Sequence, residues 1–123
     1  MGESERKTLG KRLIVAGDRT FGNYGVVADA IEEQLGTFDE IVSGGARGVD
    51  TLGEQWANNH GVKLTVFKAE WNKFGKAAGV IRNRQMAEYA DSLLAFLKPT
   101  SKGTKNMITV ATKLGLEVTV VKL

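Results

Sequence analysis

The sequence predicts an α/β fold: a Rossmann-like three-layer sandwich, with a mostly parallel sheet of about five strands and helices on both faces. Three observations carry that expectation. Short β-rich apolar runs alternate with amphipathic segments along the chain. The runs are continuous rather than alternating, as in strands covered on both sides. The residues suited to ligand binding fall just after the strand candidates, where open α/β sheets hold their ligands.

The strand candidates are residues 13–16, 40–43, 64–67, 92–97 and 118–121. Four helix candidates lie between them. Val27, Ala30, Ile31 and Leu35 form an apolar stripe with Asp29, Glu32 and Glu33 opposite. Leu52 and Trp56 mark a second helix ending near His60-Gly61, with Trp56 in the core and His60 on the surface. Met86, Tyr89 and Ala90 mark the third, and Met107, Ile108, Ala111 and Leu114 the fourth, closed by Gly115. Residues 1–12 are expected to be a flexible arm, and residues 13–123 a single domain.

Composition narrows the chemistry. The chain has no cysteine, so thiolate nucleophiles, disulfides and thiolate metal sites are excluded. A single histidine, His60, excludes sites built on several imidazoles. No metal constellation is visible and no cofactor is called for. No apolar run approaches the ~20 residues of a membrane span, so the expected location is the cytoplasm. Net charge is +3, but it is unevenly placed. Five acids and no base lie from Asp29 to Glu40, whereas six bases against Glu70 alone lie from Lys63 to Arg84. Such polarity suits an anionic ligand at one face, and solvated helix surfaces would look similar.

The loops after the strands hold the candidate site. Ile41-Val42 runs into Ser43-Gly44-Gly45-Ala46-Arg47-Gly48-Val49-Asp50. Glycines remove Cβ atoms, so main-chain N–H groups can meet a phosphate, and the following helix adds its positive end. Gly44, Gly45 and Gly48 thus read as a phosphate cradle, with tight-turn geometry as the alternative. Arg47 offers a planar fork for oxyanions. Asp50 suits either a ribose hydroxyl or the cap of its own helix. Gly17, Asp18 and Arg19 follow the first strand, where Asp18 is a candidate base or sugar contact, or else an Asx turn. The loop over residues 69–79 carries Glu70, Trp71 and Phe74; the two aromatics read as packing residues or as a stacking surface. Gly103, Thr104 and Lys105 open the last helix, with the Thr104 hydroxyl as its cap and the N–H groups of Thr104 and Lys105 facing an anion.

These motifs resemble a known superfamily. Ser43-Gly44-Gly45-Ala46-Arg47-Gly48-Val49-Asp50 resembles the Ser-Gly-x-Ala-Arg-Gly-(Ile/Val)-Asp signature of Smf/DprA proteins. Gly103-Thr104 after an apolar strand resembles the Gly-Gly-x-Gly-Thr turn of the lonely-guy phosphoribohydrolases. Together these define the SLOG superfamily. Ala69-Glu70-Trp71 with Ala78-Gly79-Val80-Ile81-Arg82-Asn83-Arg84 is similar to a compact single-domain branch related to YspA-like proteins. The resemblance runs from about Leu13 to the C-terminus. It implies a nucleotide or nucleotide-derived ligand, hydrolysis of a nucleotide N-glycosidic bond, or binding of single-stranded DNA. It favours Arg82 with Asn83, rather than Arg84, as the residues that reach the pocket.

One departure weighs against hydrolysis. The lonely-guy enzymes carry catalytic glutamates two and three residues after Gly-Thr, where this chain has Asn106 and Met107. An oxocarbenium-like transition state needs a carboxylate near the sugar, so Asp18, Asp50 or Glu70 would have to substitute. The expectation is therefore a nucleotide-binding domain. A nucleoside-monophosphate hydrolase using Asp18 or Glu70 is the first alternative. A single-stranded nucleic-acid module using Lys73, Lys76, Arg82, Lys102 and Lys105 is the second. Related domains often pair, which makes a homodimer compatible with the chain, although no apolar stripe demands one.

Overall fold

The structure, a computed structural model, describes residues 11–123. Its elements follow in the order β1 (Arg12–Gly17), α1 (Tyr24–Glu32), β2 (Glu40–Ser43), α2 (Val49–Asn59), β3 (Lys63–Val66), α3 (Trp71–Phe74), a 3-10 turn (Gly75–Ala77), α4 (Ala78–Tyr89), β4 (Ser92–Leu97), α5 (Lys102–Lys113) and β5 (Glu117–Lys122). All neighbouring strands are parallel, in the order β3-β2-β1-β4-β5.

Alternation along the central strands builds two cores. Leu13 and Val15 of β1, with Leu94 and Phe96 of β4, face α1 and α2 and pack against Val27, Ile31 and Trp56. Ile14 and Ala16, with Leu93 and Ala95, face α4 and α5 and pack against Met86, Ala87, Met107 and Ala111. A strand whose successive side chains enter opposite cores must be apolar at every position, which is why the runs are continuous. The edge strands are more exposed, and Val66 and Val120 remain 37% and 39% exposed.

Several local expectations are corrected. Arg12, counted with the arm, begins β1, and its N–H donates to Asp91; the rest of the arm up to residue 10 lies outside the described residues. Leu35 is 59% exposed beyond the end of α1, because the helix stops at Glu32 and the chain turns. The third strand lies one residue earlier than expected, and the segment 69–79 is largely helical rather than an open loop. Trp71 is half-exposed, so it is not a core residue. Trp56 is buried as expected, stacked on His60, whose Nδ1 lies 2.8 Å from the Trp56 carbonyl oxygen.

Candidate functional site

The strand order places a switch between β1 and β4: from β1 the chain winds outward through β2 and β3, then returns to add β4 on β1's other side. Strand ends diverge there, and open α/β sheets leave a crevice at that point. Here the crevice is a cavity of about 460 Å³. Its floor includes Ala16, Met86 and Met107, and its walls come from the loop after β1, the start of α2, one face of α4 and the first turn of α5.

Asp18 forms a joint between two walls. One carboxylate oxygen accepts from the Thr20 N–H at 2.9 Å and from the Thr20 hydroxyl, while the Ser101 hydroxyl donates to the other at 2.9 Å. Lys98 Nζ lies 3.3 Å away. The hydrogen bonds from Thr20, helped by Ser101 and Lys98 against partial burial, hold this carboxyl far below the usual carboxylate range. Asp18 therefore forms the Asx-type turn and is a poor proton acceptor. Ser101 occupies the N-cap position of α5, but its hydroxyl serves Asp18 instead of the helix. The carboxylate so held sits at the helix's positive end.

Asp50 is the opposite case. It is buried at the second position of α2, and its carboxylate accepts from the Ala46 N–H at 3.2 Å rather than capping its own helix. Burial pushes its carboxyl up to about 6, although hydrogen bonds from Ala46 and Gly17 and the charge of Arg82 pull the other way.

Arg82 and Asn83 come from the inner face of α4. Arg82 is 9% exposed and lines the cavity; its guanidinium donates to the Gly44 carbonyl and, through Nε, to Asn83 Oδ1 at 3.0 Å. Asn83 in turn donates to the Gly103 carbonyl at 3.2 Å and to Asn106 Oδ1 at 2.9 Å, tying α4 to the first turn of α5. Burial lowers the proton affinity of Arg82, as does the charge of Arg19, with Asp50 opposing both. Among the described residues, no carboxylate lies within ion-pair distance of Arg82. Arg84 points outward, 3.3 Å from Glu88.

Of the residues singled out from sequence, the cavity brings together Gly17, Asp18, Arg19, Asp50, Arg82, Asn83, Lys102, Gly103 and Thr104. The glycine run stands behind this wall. Ser43 is buried, donating to Glu54 at 2.6 Å and accepting from the Gly45 N–H at 3.1 Å. Gly44 supplies the carbonyl that receives Arg82. Gly48, with φ of 71°, lies so close to the Asp18 carbonyl and Arg19 backbone that a Cβ would collide with both. Arg47 is exposed and outside the cavity lining, as are Glu70 and Lys105. The α5 expectation is corrected in detail. The helix starts at Lys102, so Thr104 is buried in its first turn rather than capping it. The Lys105 N–H is already bonded to the Ser101 carbonyl at 3.0 Å, and its ammonium to that of Pro99 at 2.5 Å.

Sequence reasoning missed Ser101 and Ala46 as lining residues. A hydroxyl between Pro99 and a helix is a standard cap signal and marks Ser101 in retrospect. Ala46 stands within the quoted signature, but an alanine side chain carries no chemistry that would single it out.

Comparison with known proteins agrees with this fold. The family model described as "YspA, cpYpsA-related SLOG family" matches residues 11–74. The Gene 61 protein of Mycobacterium phage D29 is 34% identical over 117 residues, covering 88% of this chain and 94% of that protein. The X-ray structure of DNA processing protein A (DprA) from Streptococcus pneumoniae superposes with a TM-score of 0.74 at 20% identity. That match covers 90% of this chain and 50% of the other, so the chain spans about half its length, and the likeness shows a shared fold.

Proposed function

The chain belongs to the YspA, cpYpsA-related SLOG family, and from that premise we propose that it binds a nucleotide or nucleotide-derived ligand through a phosphate at the C-terminal edge of its sheet. One observation carries the reading: Arg82 is buried against the cavity without a carboxylate in contact, its burial opposed by the charge of Asp50 beyond ion-pair distance and reinforced by the like charge of Arg19. The guanidinium is bonded to two neutral oxygens, of Gly44 and Asn83, so its charge is left without a counter-ion in contact, and an oxyanion in the cavity would supply one. The first turn of α5 supplies main-chain N–H groups beside it, because the first N–H groups of a helix lack intrahelical partners.

The test is incubation with a panel of nucleotides, cyclic nucleotides, dinucleotide derivatives and a short single-stranded oligonucleotide. Mass spectrometry of the separated protein and supernatant then gives the result. An intact retained nucleotide supports the reading; no retained compound, or retention of the oligonucleotide alone, overturns it. Arg47→Ala locates the site. Binding in the cavity predicts unchanged affinity, whereas binding on the glycine run predicts loss.

A hydrolytic reading is favoured by one feature, the protonatable Asp50 carboxyl on the cavity wall, which suits a general acid. Asp18 is held too acidic and Glu70 lies outside the cavity. Hydrolysis would release free base in the same panel, and Asp50→Asn would abolish that release.

A further inference from the structure

The anion-binding reading leaves one group at the cavity unexplained, a buried carboxyl facing the same space as the anion's own partner. Resting on that reading, we propose that the cavity takes up an oxyanion and a proton together, with Arg82 pairing the anion and Asp50 receiving the proton.

The geometry makes the two residues share one balance of charge. A Cβ on Gly44 would stand 2.7 Å from Arg82 Nη1 and 2.9 Å from Asp50 Oδ2, so both side chains flank the same α-carbon. They are near neighbours, yet beyond ion-pair contact. Besides Arg82, Glu54 is the charge that acts on Asp50, and further charged groups stand around the cavity. Glu54 lies one turn further along α2 and receives the Ser43 hydroxyl. Arg19 and Asp18 come from the loop after β1, Lys98 from the end of β4, and Lys102 from the start of α5. Asp18 is held ionised by Thr20, Ser101 and Lys98. Asp50 is the cavity-lining group left to titrate near neutrality.

The coupling follows from Coulomb's law in a partly dry site. In the empty cavity an ionised Asp50 partly balances Arg82. An arriving oxyanion takes over that balance and repels the carboxylate, so Asp50 draws a proton from solvent and becomes the neutral acid. Linkage is reciprocal: protonating Asp50 must tighten anion binding by the same factor. Affinity therefore rises as pH falls through the region of Asp50's titration.

Inorganic sulfate is the probe, because its charge is fixed between pH 5 and pH 8. Amide chemical shifts of the intact chain, followed at constant ionic strength, give sulfate affinity at both values. Binding should be about tenfold tighter at pH 5, which corresponds to a shift of about one unit in the Asp50 titration. Asp50→Asn, a permanent mimic of the protonated acid, should bind at pH 8 as the wild type does at pH 5, with no pH dependence. If that variant does not fold, the carboxyl carbon resonance of Asp50 in the wild type gives the same information, and sulfate should move its titration upward. Sulfate binding of equal strength at both pH values overturns the coupling while leaving the anion site standing. An unchanged pH dependence in Asp50→Asn overturns the assignment to Asp50. Failure of sulfate to bind at either pH overturns the anion site itself.

Discussion

Gly48 and Gly103 both stand in loops that read as phosphate-binding, yet they answer to different demands. Gly48 has a positive φ, and a Cβ added there would collide with the Asp18 carbonyl oxygen. Gly48→Ala should therefore destabilise the domain by about 2–4 kcal/mol, combining backbone strain with a collision. Urea unfolding measures this, and a variant as stable as the wild type would refute it. A Cβ on Gly103 meets no atom within 4 Å. Gly103→Ala should leave the fold intact and stabilise α5 by about 0.5–1 kcal/mol, since alanine favours helix. If the proposed site is right, it should nevertheless weaken nucleotide binding, because the added methyl would stand in the way of a phosphate approaching the helix backbone. Calorimetric titration with the retained nucleotide checks the second half; unchanged affinity would move the phosphate away from this turn. At this scale the site was legible in part. Arg82 and Asn83 were readable from the motif around them. The contrast between Asp18 and Asp50 was not, because it arises from hydroxyl donors and burial contributed by distant segments.

Elements were legible where their periodicity was strong. The central strands β1 and β4 announce themselves as unbroken apolar runs, since each feeds two cores. The short α3 did not, because four residues cannot display a helical period. The cap of α5 was misplaced for a chemical reason. Its cap position is held not by Thr104 but by Ser101, three residues earlier, whose hydroxyl is bonded to Asp18 across 83 positions of sequence. Ser101→Ala would remove a buried hydrogen bond to a charged acceptor, at a cost of about 1.5–3 kcal/mol. It would also loosen the wall formed by the β1 loop and the first turn of α5. The expected outcome is a lower Tm together with weaker nucleotide affinity. A variant that loses stability but binds at full strength would show that this joint supports the fold without shaping the cavity.

For the whole molecule, pH sets two groups of carboxyls against each other. Glu40 sits at the N-terminal edge of the sheet, opposite the cavity, and accepts from the Tyr89 hydroxyl at 2.5 Å and the Thr65 hydroxyl at 2.7 Å. Burial pushes its carboxyl upward, but these bonds and the nearby Lys63 outweigh that and hold it below its ordinary value. Asp18 is depressed too, chiefly by Thr20. A group whose folded-state pKa is depressed stabilises the fold above its ordinary range and loses that contribution as pH falls through its lower folded value. Asp50 runs the other way. Its raised folded-state pKa adds stability that is complete below the ordinary carboxyl range and disappears as pH rises through about 6. The Tm of the wild type should therefore peak in mildly acid solution, falling on the acid side through Asp18 and Glu40 and on the neutral side through Asp50. Asp50→Asn removes only the second limb, so its Tm should stay level from pH 5 to pH 8 while that of the wild type declines. Parallel melting curves at closely spaced pH values decide the matter. Identical profiles for the two proteins would mean that Asp50 ionises in the fold as easily as it does in the unfolded chain.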